Sequence, residues 1–336
     1  MITLGIETSC DETSAAIVAD GTQVLSCIIA SSKDAFEHAG GVIPEHAARE
    51  QIRSIHPVID QALAEASVSP KDIDLIAVTR GPGLLGSLLV GTVTARTLAT
   101  LWKKPLIGVH HTLGHLSSSW LDTNDEPQFP VLTLSASGGH TELWLRTDHL
   151  QGELLGSTRD DAAGEAFDKG ASLLGLPYPG GPSISQAGQS GDPQAYPFPR
   201  PLHGEPTLDF SYSGLKTALK YLLRDLPDAT SHTVNLAASY EYALCRHLAD
   251  RIAHALDRHD AVQEVHVVGG VSANSRLRAM LTEQCAGRVV RFPTRLLYCT
   301  DNAAMIASAG TFLRNHIRQS RGFATAASLP AGAVFS

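Results

Sequence analysis

Two histidines, His111 and His115, stand four residues apart. On a helix that spacing puts both imidazoles on one face, with Cβ atoms roughly 5–6 Å apart, close enough for one metal ion to bridge them. The same spacing also suits ordinary surface or capping histidines in a run that includes His110. A metalloprotease of the HExxH type would need a glutamate beside the first histidine; Thr112 is there instead, so the water-activating base is missing. Asp11-Glu12 and Ser137-Gly138-Gly139-His140 each fall where a hairpin turn is expected. The first offers a pair of carboxylates, or simply a solvated turn. The second offers glycines that let backbone amides approach an anion, or simply a plain β-turn. Gly269-Gly270-Val271-Ser272-Ala273-Asn274 follows a buried strand and opens a helix, a context suited to a nucleotide at a helix N-terminus. It is not GxGxxG, so a Rossmann dinucleotide site is not supported. Pro179-Gly180-Gly181-Pro182 reads as a rigid loop, Asp168 as a solvated helix charge beside Glu165 and Lys169, and Asp301 as an N-cap.

These groups need a scaffold of alternating strands and helices. Ile2–Glu7, Ser14–Ala19 and Gln23–Ser31 read as three strands joined by short polar turns. Pro44 opens a helix whose apolar positions Ile52, Ile55, Ile59 and Leu63 fall at helical spacing. A strand over Ile73–Val78, a small-residue helix and a strand over Leu106–Val109 follow. The layout then restarts. Val131–Ser135, Glu142–Arg146 and Gly152–Gly156 read as strands, and a helix follows near Ala163–Leu174. The repeat predicts a duplicated α/β unit: two lobes around a cleft, each aiming one hairpin turn at it. Residues 190–206 read as an irregular loop. Leu236, Tyr240, Leu244, Leu248, Ile252 and Leu256 mark a long amphipathic helix, Glu264–Val268 a strand, and a last helix starts after Thr300-Asp301-Asn302. The tail after about Arg321 is small and polar and is expected to fray. The boundaries expected are 1–129 for the N-terminal lobe, 130–320 for the C-terminal lobe and 321–336 for the tail.

Composition narrows the class. The 336 residues are 43% hydrophobic and 18% charged, a globular balance with ample core material. The net charge of −8 gives no overall basic footprint for nucleic acid, so RNA binding has to use a local patch or a partner. The five cysteines are scattered without a CxxC pair, which argues for a reducing compartment. The N-terminus starts directly as a strand with no leader pattern. The apolar stretch from Leu84 to Trp102 carries Arg96 and two glycines and reads as a buried helix rather than a membrane span.

Nine ordered segments together carry a resemblance: GIETSCDETSAA, GGVIPEHAAREQ, TRGPGLLGSLLVG, GVHHTLGHL, SGGHTEL, GEAFDKGASLLGLPYPGGP, FSYSGLKTA, GGVSANSRLR and Thr300-Asp301-Asn302. Across nearly its whole length the sequence resembles the tRNA N6-adenosine threonylcarbamoyltransferase family, once described as glycoproteases. The resemblance implies a two-lobed actin/sugar-kinase/Hsp70-like fold. It also implies a cytoplasmic transferase that moves the threonylcarbamoyl group of threonylcarbamoyl-AMP to N6 of the adenosine beside the anticodon, releasing AMP. It assigns His111, His115 and Asp301 to one metal ion, iron(II) or zinc. It assigns Ser135, Ala136, Ser137, Gly138, Gly139, Asp168, Gly181 and Asn274 to the adenylate or an ATP-like ligand, and makes Asp11 and Glu12 the candidates for proton handling. The partners it implies are tRNA, an upstream threonylcarbamoyl-AMP synthase, an inactive paralogue of this fold and a small ATPase, with no membrane. The turn Ser135-Ala136-Ser137 departs from relatives that carry bulkier aliphatic residues or a metal-contacting tyrosine there. Ser185 stands where many relatives have an aspartate. The rivals are a metalloprotease, a sugar-kinase-like ATPase and a nucleotide-sensing scaffold without turnover.

Overall fold

A computed structural model describes residues 1–31, 43–314 and 322–335, so the first three residues of the GGVIPEHAAREQ segment and Arg321 lie outside the described residues. The chain divides into two units. The first comprises Met1–Pro127, His149–Gln151 and Pro293–Ser336; the second comprises Gln128–Asp148 and Gly152–Phe292.

The first unit is built on a five-stranded sheet. Its strands are β1 (Ile2–Glu7), β2 (Glu12–Ala19), β3 (Gln23–Ser31), β4 (Leu75–Gly81) and β5 (Leu106–His110), in the order β3-β2-β1-β4-β5. β1 pairs antiparallel with β2 and parallel with β4. β1, β2 and β4 are buried along nearly their whole length because both faces are covered. On one face lie α1 (Pro44–Glu65) and α2 (Leu85–Trp102), which bury Ile55, Val58, Ile59 and Ala95 against Leu4, Ile6, Ile76 and Val78. Ile52, expected on the buried stripe of α1, is 61% exposed; the stripe starts instead from Ala47 and Gln51. α3 (His111–Ser117) continues directly from β5.

The second unit repeats that order. Its strands are β6 (Val131–Ala136), β7 (Thr141–Asp148), β8 (Gln151–Ser157), β9 (Glu264–Val268) and β10 (Val289–Arg291), arranged β10-β9-β6-β7-β8. β6 pairs antiparallel with β7 and parallel with β9, as β1 does with β2 and β4. The helices are α4 (Ala163–Leu173), α5 (Gly180–Ala187), α6 (Ser213–Asp225), α7 (Thr233–Leu256) and α8 (Ser275–Gln284). α7 is buried along most of its length, with Leu236, Tyr240, Leu244, Leu248 and Ile252 in the core.

α9 (Ala303–Arg314) follows the second unit in sequence but belongs to the first. The expected boundaries, which run the second lobe to 320, place it differently. Close approach explains its docking. A methyl group on Gly5 of β1 would overlap the Ala303 carbonyl oxygen, and one on Gly310 would overlap Ala77 of β4. Bare backbone at both positions lets helix and sheet touch. The tail does not fray over its described residues. Phe323 fills the space left by Gly108, with the Arg96 guanidinium 4.8 Å from its ring, and the Ala326 amide donates to the Arg80 carbonyl. None of the five cysteines is in a disulfide. No helix among the described residues is long and apolar enough to cross a membrane.

Candidate functional site

Two clusters collect the singled-out residues, one in each unit. In the first, β5 runs straight into α3 at His110-His111. The His110 side chain caps that helix, its Nδ1 accepting from the Thr112 amide at 3.2 Å. His111 and His115 then project from one face, as the i,i+4 spacing predicts. Their Nε2 atoms are 3.1 Å apart and their rings are nearly perpendicular, at 86°. Asp301 arrives from the turn before α9. Its Oδ1 is 3.1 Å from His115 Nε2 and 3.5 Å from His111 Nε2. It is not the N-cap: Asn302 takes that role, accepting from the Met305 amide at 3.1 Å.

The donor set fits a metal ion. Ligands about 2.0–2.1 Å from a tetrahedral zinc stand about 3.3 Å apart, the spacing found here. Two imidazoles and a carboxylate suit zinc or iron(II). Among the described residues these three are the group of His, Cys, Asp and Glu side chains arranged to hold an ion. The Asp301 side chain keeps 26% of its exposure, which leaves room for further ligands. Burial alone would lower the His111 pKa, but Asp301 and then Glu7 outweigh it and push it up to about 9. Without a metal, the cluster draws a proton to the place a cation would occupy.

Asp11 and Glu12 are both buried, at 8% and 7% exposure. Asp11 lies in the turn after β1, whereas Glu12 is already the first residue of β2, paired with Ser31, rather than part of the turn. The Gln51 side chain, itself buried, donates to the Cys10 carbonyl at 3.0 Å and the Glu12 carbonyl at 2.9 Å and so holds that turn against α1. Burial and the adjacent Asp11 carboxylate drive the Cys10 thiol upward, so it is no thiolate nucleophile. Glu7 escaped sequence reading. It ends β1, and the signal for it was a carboxylate at the C-terminal end of a buried strand. It is 1% exposed, with Oε2 3.2 Å from His111 Nδ1. Burial raises its pKa, but His111 beside it more than offsets this and leaves the carboxyl below its usual range.

The second cluster follows β6, which carries Ser135 and Ala136. The turn Ser137–His140 is tied at its base by the Ser137 amide on the His140 carbonyl at 2.8 Å and by the Gly164 amide on the Ser137 carbonyl at 3.0 Å. Gly138 and Gly139 are exposed, and a Cβ at either would meet nothing within 4 Å. Their amides have no acceptor among the described residues. Nothing in the packing requires glycine at these positions, which leaves open room for a close ligand.

Asp168 is no solvated charge. Its Oδ1 accepts from the Gly180 amide at 2.7 Å, tying α4 to the start of α5. Burial holds its carboxyl above the ordinary range. The Pro179–Pro182 segment, expected to be a loop, is that start: Pro179 supplies the extended cap residue and Gly180 the first turn, since Gly180 packs too close to Asp168 for a side chain. Gly181 faces open space. The Asn274 side chain caps α8 by accepting from the Leu277 amide at 2.9 Å. Its amide group donates to Glu241 at 2.8 Å and to Ser185 at 3.1 Å, so both of its ends are engaged. Ser185 in turn donates to Glu241, and Arg276 donates to the same carboxylate at 2.9 Å.

A local basic patch, the feature RNA binding would need, is not supplied by Arg159, Lys169 and Lys216 of this unit, which all sit in ion pairs. Lys169 pairs with Asp161 and Glu165, Lys216 with Asp161, and Arg159 with Glu205 and Asp209. They do not form a free positive patch.

Comparison with known proteins bears on the family and the fold. Residues 23–308 match the family model described as tRNA N6-adenosine threonylcarbamoyltransferase. A protein of that name from Thermomicrobium roseum is 48% identical over 93% of this chain and 92% of its own. Another, from Symbiobacterium thermophilum, is 49% identical over 92% of this chain and 91% of its own. Among solved structures, HypF from T. kodakarensis superposes with a TM-score of 0.61 at 15% identity, covering 94% of this chain and 48% of that one. The activator of the 2-hydroxyisocaproyl-CoA dehydratase from Clostridium difficile, with bound ADPNP, gives 0.52 at 13% identity over 96% of this chain and 99% of that one. At these identities the structural likeness speaks for the fold alone: the duplicated α/β fold of the actin/sugar-kinase/Hsp70 class.

Proposed function

Since the chain belongs to the tRNA N6-adenosine threonylcarbamoyltransferase family, we propose that it moves the threonylcarbamoyl group of threonylcarbamoyl-AMP to N6 of the adenosine adjacent to the anticodon, in tRNAs reading codons that begin with A. The observation that carries this is the convergence of His111, His115 and Asp301 in one unit of a nucleotide-binding fold class. The N6 lone pair is delocalised into the purine, so it is a weak nucleophile that needs positioning and a proton acceptor. In the step, the N6–carbon bond forms and the carbamoyl C–O bond to phosphate breaks. The electron pair leaves with AMP, and the N6 proton passes to Asp11 or Glu12, whose burial keeps a carboxylate out of bulk water. The two imidazoles and Asp301 would hold a divalent ion, zinc or iron(II), which would supply positive charge to stabilise a leaving group.

In the second unit, Ser135 to Gly139 present the open amides of Gly138 and Gly139 to phosphate oxygens, and Gly181 adds unobstructed backbone. Asp168 and Asn274 hold α5 and α8 in place around the nucleotide. The bound ADPNP of the dehydratase activator accords with an adenylate or ATP-like ligand here. The net charge of −8 and the paired state of Arg159, Lys169 and Lys216 leave little positive surface for tRNA. Accessory proteins, an inactive paralogue and a small ATPase, supply the rest, and an upstream synthase supplies the adenylate. We place the reaction in the cytoplasm with its tRNA.

The test is reconstitution with unmodified tRNA, carbonyl-labelled threonylcarbamoyl-AMP and the accessory proteins, followed by digestion to nucleosides. Label in modified adenosine is expected. Full-length tRNA without label, while the adenylate is only hydrolysed, would sink the proposal.

A further inference from the structure

Glu7 is expensive where it stands. It closes the buried strand β1, and a carboxylate excluded from water is tolerated only with partners. Its partners are all local. Oε1 accepts from the Ser9 amide, and Oε2 accepts from the Thr79 hydroxyl and lies 3.2 Å from His111 Nδ1. At 1% exposure it has no path to a substrate. What distinguishes it is its place behind His111, on the ring edge opposite the Nε2 that meets His115 and Asp301.

Resting on the metal reading above, we infer that Glu7 is a positioning residue: it holds His111 in the tautomer with the proton on Nδ1 and the Nε2 lone pair aimed at the ion. The Ser9 hydroxyl also lies 3.2 Å from Nδ1, but a hydroxyl can donate or accept and so does not choose a tautomer. An ionised carboxylate can only accept, and it does choose. The arrangement is a carboxylate–histidine–metal relay, in which the outer carboxylate fixes the ring and raises the basicity of the ligating nitrogen. His115 has no such support: its Nδ1 is buried with no partner among the described residues. The two histidines are therefore unequal ligands, and the His111 bond is the one the fold has prepared.

Zinc and cobalt(II) affinities of the wild-type protein, Glu7→Gln and Ser9→Ala can be measured by competition with a chromophoric chelator. The glutamine amide can turn its NH₂ toward Nδ1 and drive the proton onto Nε2, against the ion. Glu7→Gln is therefore expected to weaken both metals about 10- to 100-fold and to shift the cobalt d–d bands, whereas Ser9→Ala stays within about threefold. In parallel, nitrogen-15 NMR of histidine-labelled, zinc-loaded wild-type protein should show His111 protonated at Nδ1 and bound through Nε2. If wild type takes up neither metal, the metal reading fails and this inference with it. If wild type binds but Glu7→Gln binds equally with an unshifted spectrum, only the role of Glu7 is overturned. Should Glu7→Gln not fold, the NMR decides, and an unprotonated Nδ1 on His111 overturns the inference.

Discussion

The two units share a strand order and differ at the end of the first strand. β1 ends in Glu7 and delivers the chain into a turn buried under Gln51, among carboxylates and imidazoles. β6 ends in Ala136 and delivers the chain into a turn whose two glycines, Gly138 and Gly139, are exposed. The first unit gathers negative charge and needs a cation. The second presents amide dipoles and suits an anion. Particular glycines differ in role as well: Gly5 and Gly310 admit α9 to the sheet, whereas a Cβ at Gly138 or Gly139 would meet nothing within 4 Å. The buried imidazoles divide as well: His111 is pushed up to about 9, while His247 and His266 in the second unit are held down to about 4. One topology thus presents opposite polarity through a few groups at equivalent strand ends.

The hardest test of this contrast removes the cation site. His111→Ala with His115→Ala should leave no bound metal by elemental analysis and cut transfer below about 1% of wild type, a loss of several kcal/mol of charge stabilisation. Secondary structure should be unchanged. Unchanged metal content in the double variant would break the contrast at its first term. The anion side is tested by Gly138→Val. With open space around that position, the fold should tolerate the side chain, while calorimetric affinity for AMP should fall about tenfold or more as it blocks backbone approach to phosphate. The same kind of change at Gly5 should do the reverse. Gly5→Ala should lower thermal stability by about 1–3 kcal/mol through overpacking against Ala303 and leave AMP affinity alone. Swapped outcomes would mean that the glycines have been assigned to the wrong roles.

Acid should find the second unit first. Burial, and then Arg251, keep His247 neutral; burial, with Arg146 opposing Glu264, does the same for His266. An unfolded histidine titrates near 6.5, so between about 6.5 and 4 the unfolded chain binds more protons than the folded one. Stability from these groups is full above that window and is lost as pH falls through it. A fall in Tm of about 5 °C or more between pH 7.5 and 5 is expected, with hydrogen exchange localising the opening to α7 and β9. Equal protection of both units at pH 5 would contradict it. The smallest effect is reserved for Lys216→Ala. Lys216 already answers Asp161 at 3.1 Å, so tRNA affinity should move less than about threefold and the salt slope by less than about 0.3, against about 0.7–0.9 for a lost phosphate contact. A full unit of slope would place Lys216 on the RNA surface.

Sequence reading reached different depths in the two units. The strand–turn–strand layout was legible because β-branched runs broken by polar turns are local signals, and the repeated order of ten strands follows that layout. His111 and His115 were legible because a helix makes four-residue spacing a spatial fact. Asp301 was reachable only through family resemblance: it lies far along the chain, and its own neighbourhood read as a cap that Asn302 in fact provides. Glu7 was hidden because one carboxylate at a strand end carries no period. α5 was hidden because Gly-Gly-Pro reads as a breaker, whereas here the close packing of Gly180 on Asp168 starts a helix. The tail read as frayed because its anchor, Phe323 over Gly108, joins residues with no sequence proximity. What was missed is tertiary contact overriding local propensity.

The return of the chain to its first unit through α9 has a consequence in time. The residues that complete that unit begin at Pro293, after the whole second unit has been made. At about 5–20 residues per second, the ribosome needs roughly 8 to 35 s to cross the intervening stretch. Throughout that interval the nascent sheet of β1, β2 and β4 lacks the helix that covers it, and His111 and His115 wait without Asp301. The second unit can close on itself while the first is still open. The cluster of two imidazoles and one carboxylate is therefore necessarily completed late in the birth of each molecule, and a chain released early, before residue 301, is born without it.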